Sequence, residues 1–584
     1  MSKYELKPEI EIAGNFSGSH GYDEILKEVA DFLEGISSEK KILAIEGYPG
    51  VNWSEVKESL IKPLGAETVI YADDFAQSID EVQNRIKDVI TEDRVFGILS
   101  HYTIDQFYMN EKINEAKELI ANAEGLVIVY GFGTNVLAKA DCLIYADLAR
   151  WEIQKRFRYE GLTNWKIANA EEDALRKFKR GYFFEWRMAD RQKNKCFGQI
   201  DFLLDTNNKN KPTMIDGSSY RAGVEQASKK PFRLVPYFDA SVWGGHWMEE
   251  HFSLPSNGTN YGWAFDGVPE ENSVILNFSG TKIEIPAINL VFQHPNNLLG
   301  KKVHARFGTE FPIRFDYLDT MGGGNLSLQV HPLVEYAQDK FGIHYTQNES
   351  YYILESTEKS TIYLGVKDGT NRDELVAELK KATDGDYRFP DEDFINVFPV
   401  KKHDHISIPA GTIHCGGPDT VVLEISATPY IFTFKLWDWE RVGLDGVPRP
   451  VHLAHGEPNL LMNVDKTFCE EQLINRVDEA HGNLSSQAGV KTEITGLHEL
   501  EFIETHRHWF KDSVNVCTHD SVNMLNLVEG ESIAVESLDG SFAPFVVNYG
   551  ETFIVPANIE KYIIKNTGNK ENEIAVIQAF VKNL

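Results

Sequence analysis

Between Asn325 and Pro332 the chain reads Asn-Leu-Ser-Leu-Gln-Val-His-Pro, an alternation of polar and apolar positions with the period of a strand. Ser327, Gln329 and His331 then share one face, and Leu326, Leu328 and Val330 the other. Further short strands surround this one at close spacing, at 313–319, 350–354, 361–364, 405–408 and 421–425, with Gly, Pro and Asn turns between them. That pattern predicts an all-β sandwich or barrel. The charged stretch 372–381 keeps helical spacing and reads as a helix inserted between strands. Upstream, apolar runs at 41–47, 68–75, 96–100, 125–131 and 141–147 alternate with amphipathic segments, which predicts an α/β domain on a parallel sheet. Downstream, 522–530 and 550–557 repeat the strand and turn pattern, predicting a second, smaller barrel. The expected organisation is an α/β domain over 1–228 and two all-β domains over 229–465 and 466–584.

The chain has 584 residues and a formal charge of −30. Such a field repels polyphosphate and acidic lipid, so no nucleic-acid or membrane partner is expected. A small phosphorylated substrate remains compatible, because one or two pocket cations outweigh diffuse charge at short range. The five cysteines are scattered without paired spacing and read as reduced thiols. No leader-like or membrane-length apolar run occurs, and a cytoplasmic protein is expected.

Lys41–Gly50 predicts an apolar strand entering a glycine turn, and a helix begins just after it. Strand, turn and helix start together form the arrangement that cradles phosphates. Gly47 takes the first glycine position of a phosphate loop and Ser54 the hydroxyl position. Asn52 and Trp53, however, stand where the second glycine and the lysine belong, so phosphoryl transfer is not expected. With Asp73-Asp74-Phe75, Val129-Tyr130-Gly131 and the basic run Lys155-Arg156-Phe157-Arg158, the N-terminal third resembles the uridine-kinase-like nucleoside kinases with a degenerate phosphate loop. Arg150 to Arg158 is expected to be a solvated helix face; the sharper alternative is a retained site for a nucleotide or phosphorylated effector.

The strongest chemistry lies in the central third. A polar row facing a barrel interior is costly unless its atoms find partners. Gln329 and His331 are followed by Glu349 at the head of an apolar strand, and by His414 after the turn Pro409-Ala-Gly-Thr-Ile. Two imidazoles, a carboxylate and an amide oxygen suit a divalent ion such as Zn2+ with a position left for water or substrate. In the last third no histidine follows Pro556-Ala557, so that barrel is expected to be metal-free. His506 and His508 are expected at its surface or core edge.

Phe311–Thr320, Leu326–Pro332, Asn348-Glu349, Ile408–His414, Leu423-Glu424, Trp437–Arg441 and Arg449–His452 together resemble the type I mannose-6-phosphate isomerases, zinc enzymes of the cupin fold. The resemblance implies interconversion of mannose 6-phosphate and fructose 6-phosphate through an enediol(ate). It implies one Zn2+ held by Gln329, His331, Glu349 and His414, with Glu424, Lys435 and Arg449 as catalytic candidates. Ser327, Lys435 and Trp243 are the expected substrate-binding residues. Two positions depart from the family: Gln347 stands where a lysine precedes the ligand glutamate, and Lys435 where an arginine is usual. Losing one charge-assisted bond costs about 1.5–3 kcal/mol, so an altered sugar phosphate or a noncatalytic sensor of sugar phosphate or nucleotide is the competing expectation. An iron-dependent cupin dioxygenase fits less well, since such sites use more histidine.

Overall fold

The computed structural model describes residues 4–383, 387–427, 430–444, 446, 449–476, 484–496 and 501–582. They divide into two compact units. One comprises Glu9–Ala227 with Ser273–His294; the other comprises Met1–Pro8, Ser228–Asn272 and Pro295–Leu584. The sequence segments expected above are therefore not collinear with the units.

The first unit is built on a seven-stranded sheet in the order Gly18–His20, Thr213–Asp216, Phe202–Asp205, Cys142–Asp147, Lys41–Gly47, Leu126–Gly131, Thr68–Tyr71. The last five strands run parallel, and the first two pair antiparallel. The central strands are apolar along their length because helices cover both faces. Phe96–Ser100, expected as a strand, is not one. Its N–H groups at Ile98 and Ser100 bond to the carbonyls of Val89 and Phe183, so the run is satisfied by neighbouring helical segments instead of a strand.

The basic run also differs from expectation. It lies on the Arg150–Tyr159 helix, but Arg150 and Arg156 are buried. Arg150 pairs with Asp190 at 2.5 Å beneath the Trp186 ring, and Arg156 donates to the carbonyls of Gly50 and Thr206 at 3.0 and 2.7 Å. These guanidinium groups satisfy interior acceptors, and the exposed end of the helix is confined to Arg158 and Tyr159.

Residues 273–294 join this unit for a polar reason as well as an apolar one. The Ser273–Phe278 and Thr281–Pro286 hairpin pairs with Glu9–Glu11. On the following helix, the buried Asn289 donates to Asp147 at 2.8 Å and accepts from Lys193 at 3.1 Å, completing the buried Asp147–Lys193 ion pair. A buried ion pair is tolerable only when its remaining lone pairs and protons are satisfied.

Two buried carboxyls of this unit set its response to pH. Burial pushes Glu46 up to about 7, against hydrogen bonds from Gly133 and Thr134; burial and the nearby Glu284 push Asp205 up to about 7. Between the unfolded value near 4 and the folded value, the folded chain holds protons that the unfolded chain has released, so stability falls as pH rises through that window. The urea midpoint for residues 9–227, followed by pulse proteolysis and peptide mapping, is expected to drop from pH 5 to pH 7. The Glu46→Gln, Asp205→Asn double variant should flatten that slope; an unchanged slope would assign the effect to other groups.

The second unit contains two barrels, each of two sheets. In the first, a six-stranded sheet runs His405–Ile408, Asn348–Ser356, Thr420–Ala427, Arg314–Asp319, Trp263–Gly267, Tyr237–Asp239. Its five-stranded partner runs Ile395–Pro399, Thr361–Val366, His414–Gly416, Leu328–Val330, Phe434–Trp437. The inserted helix spans Arg372–Ala382, its first turn capped by the Asn371 side chain. The second barrel pairs a five-stranded sheet containing Ile503–Phe510 with a four-stranded sheet containing Ser513–Cys517, around a core that includes Phe510, Leu527, Phe553 and Tyr562.

Candidate metal centre and its surroundings

The polar face of the Leu328–Val330 strand meets the head of the Asn348–Ser356 strand and the start of His414–Gly416. Gln329 sits opposite His414 in register, and Glu349 lies opposite Ser426 and Ile408. Ligating atoms of His331, Glu349 and His414 all fall within 4.8 Å of one another, and the three side chains are fully buried. Glu349 Oε2 is 3.1 Å from His331 Nε2, and Glu349 Oε1 is 2.8 Å from His414 Nε2. Half-buried Gln329 places its amide 3.1 Å from His414 Nε2.

The outer nitrogens decide which atoms are available. His331 Nδ1 lies 2.8 Å from the Phe432 carbonyl and His414 Nδ1 lies 2.9 Å from the Thr412 carbonyl. A carbonyl can only accept, so each Nδ1 carries a proton and each Nε2 of a neutral ring presents a lone pair inward. Two lone pairs and a carboxylate then converge, and His331 Nε2 and Glu349 Oε1 have no well-aligned hydrogen-bond partner. Burial opposes ionisation of Glu349, and positive charge at the two imidazole positions holds its carboxyl well below the usual range; with neutral rings, that charge falls to a bound cation. A divalent cation satisfies all of these groups at once, so the residues fit a zinc-type ion. Among the described residues no other such group of His, Cys, Asp and Glu occurs.

Gln347, noted above as a departure, has a defined place. Its amide donates to Glu349 Oε2 at 2.9 Å and accepts from the Phe432 N–H at 3.0 Å. It thereby ties the carboxylate to the same residue, Phe432, whose carbonyl orients His331. Gln347→Leu is expected to weaken zinc binding by about 10- to 100-fold while leaving the circular-dichroism spectrum unchanged, as read by competition with a chromophoric chelator.

Glu424, on the Thr420–Ala427 strand, lies opposite Asp316 and Tyr351. Burial, then the carboxylates of Asp316 and Glu349, push its carboxyl well above the usual range. Asp316 is itself raised to about 6 by burial, against Arg314 and a 2.7 Å bond from Trp263 Nε1. Asp316 was legible as a polar residue on an apolar strand, but nothing in the sequence paired it with Glu424.

Ser327 and Arg449 meet at a second cluster. Ser327 Oγ donates to Asp438 at 3.0 Å and accepts from Arg449 at 3.2 Å; Arg449 and Arg441 both pair with Asp438, at 2.8 and 2.6 Å. Lys435 is half-buried and opposite Gln329 in register. Trp243 is buried, tilted against Trp263 at 6.3 Å and packed over Gly262.

In the second barrel His506 and His508, expected at the surface or core edge, are both buried. His508 is held between Thr492 and Gln578 at 2.9 and 2.8 Å, and His506 bonds to Glu504 at 2.8 Å. The His508 partners lie on the two flanking strands and the His506 partner two residues back on its own strand, which is why polar residues survive there.

Comparison with known proteins divides the chain in two. Residues 21–229 match a family model described as a domain of unknown function (DUF8485). "Putative mannose-6-phosphate isomerase YvyI" of Bacillus subtilis (strain 168) is 24% identical over 344 residues, 58% of this chain and 97% of that protein. Mannose-6-phosphate isomerase ManA of the same organism is 26% identical over 227 residues, 38% of this chain and 66% of its own length. The crystal structure of the mannose 6-phosphate isomerase from Bacillus subtilis matches at 20% identity with a TM-score of 0.48, covering 60% of this chain and 99% of that one. The chain thus carries homology to mannose-6-phosphate isomerases over 58% of its length. Among the described residues no helix is long and apolar enough to cross a membrane.

Proposed function

We propose that the second unit is a zinc-dependent aldose–ketose isomerase that interconverts mannose 6-phosphate and fructose 6-phosphate. The observation that carries this reading is the convergence of two inward Nε2 lone pairs and the Glu349 carboxylate in a fully buried pocket. Gln329, His331, Glu349 and His414 would hold the ion. Bound there, a divalent cation supplies Lewis-acid stabilisation of negative charge developing on a sugar oxygen.

The protein's own groups account for the rest. Moving a carbonyl from C1 to C2 requires taking a proton from the carbon beside it and returning it to the neighbouring carbon. Glu424 is the acid/base candidate, since one carboxyl can accept that proton and give it back. Asp316 and Glu349 favour its protonated form, so it surrenders a proton less readily than a solvated carboxylate and accepts one more readily. Arg449 and Lys435 are the cations for the substrate's phosphate, with Ser327 as hydroxyl partner. Arg449 is shared with Asp438, so phosphate would compete with that carboxylate for one guanidinium.

A noncatalytic reading, with the barrel as a sugar-phosphate sensor, is favoured by one observation: Gln347 is engaged as a neutral bridge and supplies no titrating group. For the first unit the reading is a nucleoside-kinase-like domain without phosphoryl transfer, supported by the Trp53 indole lying over Gly47 in the glycine turn. A coupled assay of zinc-loaded protein with mannose 6-phosphate separates the catalytic reading from the sensor. Turnover supports the isomerase; no turnover with any aldose phosphate despite one bound zinc per chain moves the reading to the sensor.

A further inference from the structure

The inner face of the six-stranded sheet carries more polar groups than the metal centre uses. Register across three neighbouring strands sets them in two rows: Arg314, Ser426 and Glu349 lie side by side, and so do Asp316, Glu424 and Tyr351. Residues two apart on a strand share a face, so the face that turns Glu349 toward His331 and His414 carries the other five as well. All of them are buried. Asp316 is held in place by its 2.7 Å bond from Trp263.

Two of these groups have hydrogen-bonding capacity that the fold leaves unused. Arg314 is 8% exposed, its Nε is buried without an acceptor, and its guanidinium makes no hydrogen bond or ion pair among the described residues. Its charge opposes the rise of the Asp316 and Glu424 carboxyls, but neither is bonded to it. Tyr351 is 1% exposed; its ring meets His414 edge-on at 6.0 Å, and its hydroxyl has no hydrogen-bond partner. A guanidinium offers five N–H donors and a phenol one O–H. Donors left unbonded in an interior destabilise the fold, and a native chain keeps them where another molecule supplies the acceptors.

The surroundings indicate which acceptors. Asp316 and Glu424 stand between Arg314 and Tyr351, so donors and carboxyls are interleaved on one patch. A sugar hydroxyl accepts one hydrogen bond and donates another, and neighbouring hydroxyls match such a patch. With the carboxyls of Asp316, Glu349 and Glu424 on it, this face does not attract an anion and suits the uncharged end of a sugar phosphate. Lys435, one of the cations proposed for the phosphate, lies on the Phe434–Trp437 strand of the other sheet.

We propose that Arg314 and Tyr351 are substrate-contacting residues that donate to the hydroxyl and carbonyl oxygens of the sugar, laying its carbon chain along the inner face of the six-stranded sheet. The inference rests on the sugar-phosphate reading of this site and adds to it the side chains that read the sugar. Glu424 then stands between two donors that hold the reacting carbons beside it.

Calorimetric titration of the zinc-loaded full-length protein with glucitol 6-phosphate, which has hydroxyls and a phosphate but no carbonyl to isomerise, reads these contacts without turnover. Wild type is expected to bind it. Tyr351→Phe keeps the ring and loses only the hydroxyl; Arg314→Lys keeps the charge near Asp316 and Glu424 but loses the planar fork of donors. Each should weaken binding by about tenfold or more and raise KM for mannose 6-phosphate, with zinc content and the affinity for inorganic phosphate unchanged. Because the hydroxyl is unbonded in the protein alone, the thermal midpoint of Tyr351→Phe should equal or exceed that of wild type, whereas loss of a structural hydrogen bond would lower it. No heat with wild type, wild-type affinity in either variant, a lowered midpoint in Tyr351→Phe, or an equal loss of affinity for inorganic phosphate would each overturn the proposal. The two readings fail separately: weakened binding by both variants of a protein that does not turn over mannose 6-phosphate keeps the contacts and removes the isomerase, and turnover undisturbed in both variants does the reverse.

Discussion

Replacing His331 with alanine is expected to reduce bound zinc from one per chain to below a tenth, and mannose 6-phosphate turnover by about 10³-fold or more. The size follows from the position of the imidazole. Its Nδ1 is committed to the Phe432 carbonyl, its Nε2 faces Glu349 at 3.1 Å, and the ring is fully buried. Alanine removes one of the donors and leaves the Glu349 carboxylate in a dry pocket with a single imidazole beside it and no cation to offset its charge. Metal content after dialysis against a weak chelator, measured by mass spectrometry, gives the direct readout. Far-UV circular dichroism and the thermal midpoint of the metal-free proteins separate lost coordination from lost fold. A folded His331→Ala protein that still retains one zinc per chain would remove His331 from the ligand set and, with it, the proposed centre.

Why some of this was legible in the sequence and some was not follows from the range of the interactions. Gln329 and His331 sit two apart on one strand, Glu349 heads an apolar strand, and His414 follows a Pro-Gly turn; each is a local pattern, and barrel closure brings such positions together. The roles of Asp316 and Gln347 rest on partners that local spacing does not name. Asp316 matters because its strand lies beside Thr420–Ala427 with Glu424 directly opposite. Gln347 matters because the distant Phe432 peptide returns to meet it. The same limit explains the errors. Phe96–Ser100 has the length and apolarity of a strand, but its Ile98 and Ser100 N–H groups are taken by the Val89 and Phe183 carbonyls. Arg150 and Arg156 have the spacing of a solvated face, yet Asp190 and the carbonyls of Gly50 and Thr206 lie beneath them. Residues 273–294 carry strand patterning like their neighbours, and the Asp147–Lys193 pair that needs Asn289 lies far back in the chain.

Glu424→Gln is expected to lower kcat by about 10²- to 10⁴-fold, with zinc content unchanged and the thermal midpoint equal or higher. The two effects have one origin. Burial, Asp316 and Glu349 together crowd negative charge around the Glu424 carboxyl, an arrangement that destabilises the fold and makes the group a proton carrier. Glutamine keeps the shape and the hydrogen-bonding capacity toward Glu349 but carries no transferable proton, so chemistry is lost while like-charge repulsion is relieved. Asp316→Asn separates this from a general effect of charge removal. It relieves the same repulsion from the opposite strand while leaving Glu424 able to titrate, so its midpoint should rise likewise with a far smaller loss of kcat. Zinc-loaded steady-state kinetics on both variants, with KM read alongside kcat, decide the matter. If Glu424→Gln turns over at the wild-type rate, proton transfer belongs to another group and Glu424 is a structural carboxyl; if instead both kcat and zinc content fall together, its role is to position Glu349.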